Sequence, residues 1–362
     1  MPFGEAKPPS DAPVIQVQVA DRRPYHYNVS TGESYRAPIP ARVGHTGLVD
    51  IGIFKDTLLP SLGLHSSLAI FGWGVGRFTN RLETKDWLWP SSFLLNAWWS
   101  SVGRRIVQSR MPVSSAINSL SWSERILLTG VTLWSGRLFY RIATRSVARG
   151  SDDPRYDAKK RAPEFDWNQQ LIRTYLPEAL FQTIISLPFT APFRHEGMAL
   201  TGYHPLVQAL AVGVFGVGFG LEVLADAQIS KHREQKKNND LYKEGVWSIV
   251  RHPNYLGDAL IHLSFPLLLF GSDMLAPLEL LGPLVNYLFL RFVGGDAELE
   301  PDQTRRYSVV APTKMAQLDQ YRQEKNSFWP AISELRNQWT WVVLGCGALA
   351  VGLEQGARRL LH

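Results

Sequence analysis

The chain has 362 residues, 45% hydrophobic and 19% charged, with a formal charge of +6 and a mean hydropathy of −0.10. Its single cysteine, Cys346, excludes a disulfide scaffold and a cysteine-based metal centre. The charges are bunched: segments 141–173, 226–251 and 294–337 carry 13, 10 and 13 of the 70 charged side chains, a distribution that excludes a soluble globule.

In chain order, residues 1–45 read as a disordered tail. They are polar and rich in proline (Pro2, Pro8, Pro9, Pro13, Pro38, Pro40), with no apolar core of a secretory signal. Residues 46–125 are expected to hold N-terminal transmembrane helices, over 47–76 and 88–103. Residues 126–335 form the main domain, with spans at 126–140, 179–193, 205–221, 253–272 and 276–290. A further C-terminal transmembrane helix occupies 336–362, with its apolar part at 339–353. Each span approaches the roughly 20 residues that a bilayer requires. The predicted fold class is therefore all-α, a polytopic bundle of seven or eight spans. The 205–221 span contains Gly216-x-x-x-Gly220, a spacing that lets helices approach closely in lipid.

Lysine and arginine set the expected orientation. Arg141, Arg145, Arg149, Arg155, Lys159, Lys160 and Arg161 follow the third span; Lys231, Arg233, Lys236, Lys237 and Lys243 follow the fifth. Two spans separate these loops, so both face the cytosol, and segment 294–337 falls on the same side. Arg104, Arg105 and Arg110 then lie on the far side. The three charged segments are expected to form one cytosolic cap over the bundle.

The run Arg251-His252-Pro253-Asn254-Tyr255-Leu256-Gly257-Asp258 lies where a cytosolic loop enters a span. Pro253 suits the first turn of a helix. Asp258 is about one turn further in, where a carboxylate is costly and is expected to be paired or functional. Arg251, His252, Asn254 and Tyr255 offer donors for phosphate, ribose and amide groups. The chain has no G-x-G-x-x-G after a strand, so a dinucleotide site here is not of the Rossmann type. The histidines show no metal-ligand spacing, and net charge alone gives no case for nucleic acid.

This run resembles the signature of the steroid 5α-reductase C-terminal superfamily, in its DUF1295 branch. More distantly it resembles sterol Δ14-reductases and isoprenylcysteine carboxyl methyltransferases. The resemblance extends upstream to Glu222-x-x-x-Asp226-x-Gln228-x-x-Lys231-x-Arg233, to Leu133-Trp134-Ser135-Gly136-Arg137-Leu138 with Arg145, and to Asp152-Asp153-Pro154-Arg155-Tyr156. Downstream it takes in Tyr321 and Phe328-Trp329-Pro330, so it covers roughly residues 126–330.

The resemblance implies a steroid 5α-reductase-like or methyltransferase-like helical bundle in the endoplasmic reticulum membrane, embedded in the lipid bilayer. It implies an NADPH-dependent reductase of an activated C=C bond in a steroid- or lipid-like, apolar small-molecule substrate. Carried over by position, Asn254 and Asp258 fall near the nicotinamide and ribose, and Asp226 and Arg233 at the cytosolic end of the fifth span. Arg137 reaches the cofactor, and Trp247, Arg251, His252 and Tyr255 form its wall. Arg306 is the expected cofactor contact in the closing segment. Trp134 stands where steroid 5α-reductases place a carbonyl-polarising tyrosine. For their glutamate on an earlier span, the catalytic candidates here are Asp56, four residues before Pro60, and Glu178. Two other readings stay open: an S-adenosylmethionine-dependent membrane methyltransferase, for which Glu298 and Glu300 echo a paired-glutamate segment, and a non-catalytic membrane protein that retains the pocket.

Overall fold

A computed structural model describes residues 25–28, 33–36, 51–194, 204–235 and 240–361. Within the 1–45 tail, strands β1 (Tyr25–Asn28) and β2 (Glu33–Arg36) pair antiparallel, with Tyr25 opposite Arg36. The rest of the tail lies outside the described residues.

The second body of the chain is helical. Helix α1 covers 51–79 and α2 covers 84–108, each containing one wide turn, at Phe54–Leu58 and Trp99–Gly103. A short α3 (Val113–Asn118) leads into α4 (Trp122–Arg149). Ser121 caps α4 reciprocally with Glu124, and Gly150, with φ of 67°, ends it. Helix α5 (Pro154–Arg161) starts on the Asp153 side chain, which accepts from the Arg155 amide. Helix α6 spans 167–185, and Asp166 accepts from the amides of Asn168 and Gln169 at its start. Then come α7 (Pro205–Glu234), α8 (Pro253–Gly271), α9 (Leu281–Phe292), α10 (Asp296–Val310), α11 (Pro312–Glu324) and α12 (Gln338–Leu361). Pro253 stands in the first turn of α8, where its missing N–H costs nothing.

Among the described residues, three helices are long and apolar enough to cross a membrane: Phe54–Thr79, Pro205–Glu234 and Gln338–Leu361. Large apolar side chains such as Phe71, Phe78, Leu206 and Leu353 stand exposed on these helices, as lipid-facing positions do. These features mark a membrane protein. Two expected spans take another form. In segment 179–193 the α-helix stops at Ile185 and continues as two tight turns, Leu187–Phe189 and Ala191–Arg194, where Pro188 and Pro192 cannot donate to a helix. In segment 276–290 a tight turn at Pro277–Leu280 precedes α9, whose 12 residues are well short of the roughly 20 needed to span.

Helix α7 is the axis of the bundle, packing against α8 on one face and α12 on another. The Gly216 and Gly220 pair finds its partner in α12. A Cβ on Gly216 would lie 2.6 Å from Ala350 Cβ, and one on Gly220 would lie 2.9 Å from Cys346 Sγ. A polar clamp fixes the far end of α12: Arg358 donates to Gln208 Oε1 at 2.8 Å, and Gln208 Nε2 donates to Ser123 and Ser272 at 2.6 and 2.7 Å. On the other side, α2 packs against α1 and α4, and α6 against α1. Of the arginines expected on the far side, Arg105 is buried against Glu124 at 3.2 Å, and Arg104 donates to the Asp56 carbonyl at 3.1 Å.

Candidate functional site

The three charged segments meet at one end of the bundle, around a cavity of about 1000 Å³. Helices α4, α7, α8 and α9 form its deep walls, and α5, α10 and α11 its mouth. All nine residues expected around a cofactor line it: Arg137, Asp226, Arg233, Trp247, Arg251, His252, Asn254, Tyr255 and Asp258. They differ in what they have left to offer a ligand.

Five are committed to protein partners. Arg137 holds Glu222 and donates to Asp226 at 2.8 Å, and Arg141 joins Asp226 at 2.6 Å. Trp247 Nε1 donates to the Ala225 carbonyl at 3.2 Å and presents its ring. Arg251 donates to Glu300 at 2.7 Å and to the carbonyls of Arg322 and Lys325 at 3.4 and 3.0 Å. His252 Nε2 meets Glu300 at 2.9 Å, and Arg322 donates to the other Glu300 oxygen at 3.0 Å. Burial alone would raise the Glu300 carboxyl; the hydrogen bonds from His252 and Arg251 instead hold it at about 2. Arg251 and His252 therefore tie the start of α8 to α10 and α11, with four of the five Arg251 N–H donors engaged by protein acceptors.

The other four keep free valence. Arg233, Asn254 and the Tyr255 hydroxyl make no side-chain hydrogen bond among the described residues. Asp258 accepts from Asn286 Nδ2 at 3.0 Å through one oxygen, and its other oxygen is 4.0 Å from His262 Nε2.

The mouth gathers a cluster of cations among its acidic residues. Arg137, Arg141, Arg145 and Arg149 recur every fourth residue along α4, one face of a helix. The first two meet Asp226, and the last two meet Asp153 at 3.1 and 3.0 Å. Burial would raise the Asp153 carboxyl, but Arg155 and Arg149 hold it well below the usual carboxylate range. Arg233 has Arg145 and Arg306 among its charged neighbours. Burial, with Arg306 and Arg233 nearby, lowers the Lys314 ammonium, as expected where cations crowd. Arg145 and Lys314 complete a cluster that the motif around Arg251 did not reveal; the four-residue spacing of arginines along 137–149 was the sequence signal for Arg145, and Lys314 had none.

The two catalytic candidates stand apart from the cavity lining. Asp56 lies in the wide turn of α1, exposed, with its carbonyl accepting from Arg104. Glu178 stands behind the wall, accepting from Lys85 Nζ and Trp89 Nε1, both at 2.9 Å. Lys85 and Trp89 themselves line the cavity. Deeper still, Trp134 and His262 form an edge-on pair with ring centroids 4.8 Å apart.

Comparison with known proteins agrees with the residue pattern. A family model described as Protein of unknown function (DUF1295) matches residues 72–314. An uncharacterized protein of Schizosaccharomyces pombe is 27% identical over 226 residues, covering 55% of this chain and 60% of its own length. The chain thus spans somewhat under two thirds of that curated relative. No solved structure gives a significant match.

Proposed function

The chain belongs to the DUF1295 family of proteins of unknown function, and on that premise we propose that it is a multi-pass, NADPH-dependent reductase. It acts in the endoplasmic reticulum membrane on an activated C=C bond of an apolar, lipid-like substrate. One observation carries the reading: a single cavity joins a mouth holding a cluster of arginines and a lysine to an inner chamber walled by aromatic rings, in which Asp258 and His262 stand. An anionic dinucleotide suits the first and an apolar ligand the second. A volume of about 1000 Å³ is at the top of the usual range of roughly 300–1,000 Å³ for small-molecule sites, which suits two ligands side by side.

The residues present fit the cofactor. Arg233, Arg306, Lys314 and Arg145 would hold its phosphates, and Asn254 and Tyr255 offer unengaged hydrogen-bonding groups further in. Bound there, NADPH supplies a hydride. The closed Arg137–Glu222 pair fixes α4 against α7, and the rings of Trp89 and Phe289, 4.6 Å apart, wall the inner chamber. Arg251 acts at a distance, by anchoring α8 to α10 and α11.

Purification in detergent and equilibrium binding of NADPH, NADH and S-adenosylmethionine test the reading. NADPH binds best, and binding weakens with salt. Arg233→Ala or Arg306→Ala weakens it about tenfold, the loss of one charge-assisted contact. Binding of S-adenosylmethionine without binding of NADPH would overturn the reductase.

A further inference from the structure

On α8, Asn254, Asp258 and His262 recur every fourth residue, and all three line the cavity, so they form a stripe from mouth to floor. The last of them is anomalous. His262 is 1% exposed, and neither of its ring nitrogens has a hydrogen-bond partner. Four aromatic rings surround it: Phe93 of α2, Trp134 of α4, Phe189 and Phe265, with centroids 6.0, 4.8, 6.2 and 5.8 Å away. A phenylalanine would fill such a box without burying unpaired nitrogens. Buried polar atoms are nearly always paired, so an imidazole here points to a group that arrives with the ligand.

The charges facing His262 are few. From α2, α4 and the turn at Phe189 it meets only rings. From its own helix it meets Asp258, whose Oδ1 is 4.0 Å from Nε2. The other Asp258 oxygen is held by Asn286 of α9. Beyond Asp258 lies Glu222 of α7, closed onto Arg137. Asp258 is thus the one carboxylate placed to balance a positive imidazole, and it sits between His262 and the wet mouth.

We propose that His262 is the acid of the reduction and that Asp258 positions it and returns its proton. The assignment rests on the reductase reading above. A hydride adds to one carbon of the C=C bond, and the π pair shifts to the other carbon, stabilised by the conjugated group. That carbon takes the proton from the His262 imidazolium, which is left neutral. Water at the mouth then reprotonates His262 through Asp258. The donor is oxidised by two electrons, and the alkene becomes CH–CH. Trp134 closes the box beside the imidazole and has its own unpaired Nε1–H.

The test uses the full chain in detergent, as wild type and as His262→Phe, His262→Gln and Asp258→Asn. Four quantities are read: the thermal midpoint, NADPH affinity, turnover of a C16 2-enone, and the pH profile of His262 carbethoxylation by diethyl pyrocarbonate, mapped by mass spectrometry. His262→Phe keeps the wild-type midpoint and NADPH affinity but lowers kcat about a hundredfold with little change in KM. His262→Gln behaves alike in turnover. Asp258→Asn moves the carbethoxylation midpoint of His262 down by about one pH unit, because the imidazolium loses its counter-charge. A fall in midpoint for His262→Phe makes the histidine structural and overturns the assignment. So does undiminished turnover, or a carbethoxylation profile indifferent to Asp258. A wild type that binds no NADPH overturns the reductase reading itself, and with it the reduction that His262 would serve. A wild type that binds NADPH while the variants behave as wild type overturns the acid alone.

Discussion

Gly218 and Gly257 meet face to face across α7 and α8: a Cβ on Gly218 would lie 2.5 Å from the Gly257 carbonyl oxygen, and one on Gly257 would lie 2.6 Å from that of Gly218. No side chain fits at either position. The approach also brings Glu222, one turn beyond Gly218, over Gly257, whose Cβ position is 2.9 Å from Glu222 Cγ. Two glycines thereby bring the acidic stretch of α7 against the acidic stretch of α8, and so set the width of the cavity's deep wall.

Alanine at either position must push the helices apart. Gly218→Ala and Gly257→Ala are each expected to cost about 2 kcal/mol, the usual penalty for overpacking. Thermal unfolding in detergent measures this as a lowered midpoint for each. The double variant should cost less than the sum of the two, because the first displacement makes room for the second.

The α7–α12 contact carries its own reporter. Cys346 is the chain's single cysteine, and its sulfur faces Gly220. Gly216→Val is expected to lift α12 off α7 and raise the rate of maleimide labelling at Cys346 several-fold. Arg358→Ala, which removes the clamp on Gln208, should raise it less. Equal labelling in wild type and Gly216→Val would show that α12 docks elsewhere.

Glu300 predicts a pH dependence of stability. Its carboxyl is at about 2 in the folded chain, against 4.5 ordinarily. A depressed pKa gives stability that is complete above the unfolded value and is lost as pH falls toward the folded one. Wild type should therefore lose stability between about pH 4.5 and 2. Glu300→Gln, which removes the anion that Arg251 and Arg322 share, should be weaker by roughly 2 kcal/mol at pH 7 and flatter in that acid window. Midpoints recorded across the range at constant ionic strength compare the two.

Lys85 and Glu178 separate structure from chemistry. Lys85 is buried and meets Glu178 at 2.9 Å. Glu178→Ala removes the nearer anion of the ammonium, leaving Asp86 at 3.9 Å, and should cost about 3 kcal/mol. Lys85→Met with Glu178→Leu together should restore most of that loss. Asp56→Asn, exposed in its wide turn, should change the midpoint by no more than about 0.5 kcal/mol and leave NADPH affinity as it was.

What the sequence made legible follows from the range of each interaction. Pro253 as a helix start, the arginines in four-residue steps and the Asp258-to-His262 spacing are all local, and a helix converts them directly into one face. The small-residue pair Gly216 and Gly220 was readable as a docking stripe, but its partner around Cys346 and Ala350 was not, because pairing in lipid depends on shape rather than on any pattern shared by the two segments. Arg251 and His252 were readable as a polar cluster. Their commitment to Glu300 was not, since that carboxylate lies 48 or 49 positions further along the chain. Asp56 was expected near the site from its distance to Pro60. The wide turn at Phe54–Leu58 changes the helical phase there, and spacing rules assume regular winding. The box around His262 draws on helices far apart in sequence and left no local trace.

The node at Glu300 also imposes an order on synthesis. Arg251 leaves the ribosome before Glu300, and long before Arg322 and Lys325, whose carbonyls complete its shell. At roughly 5–20 residues per second, that interval is on the order of 4–15 s. Until it closes, α8 has its acidic interior but no fastening at its entrance. A nascent chain stalled in that interval presents a bare arginine at the edge of an unfinished chamber.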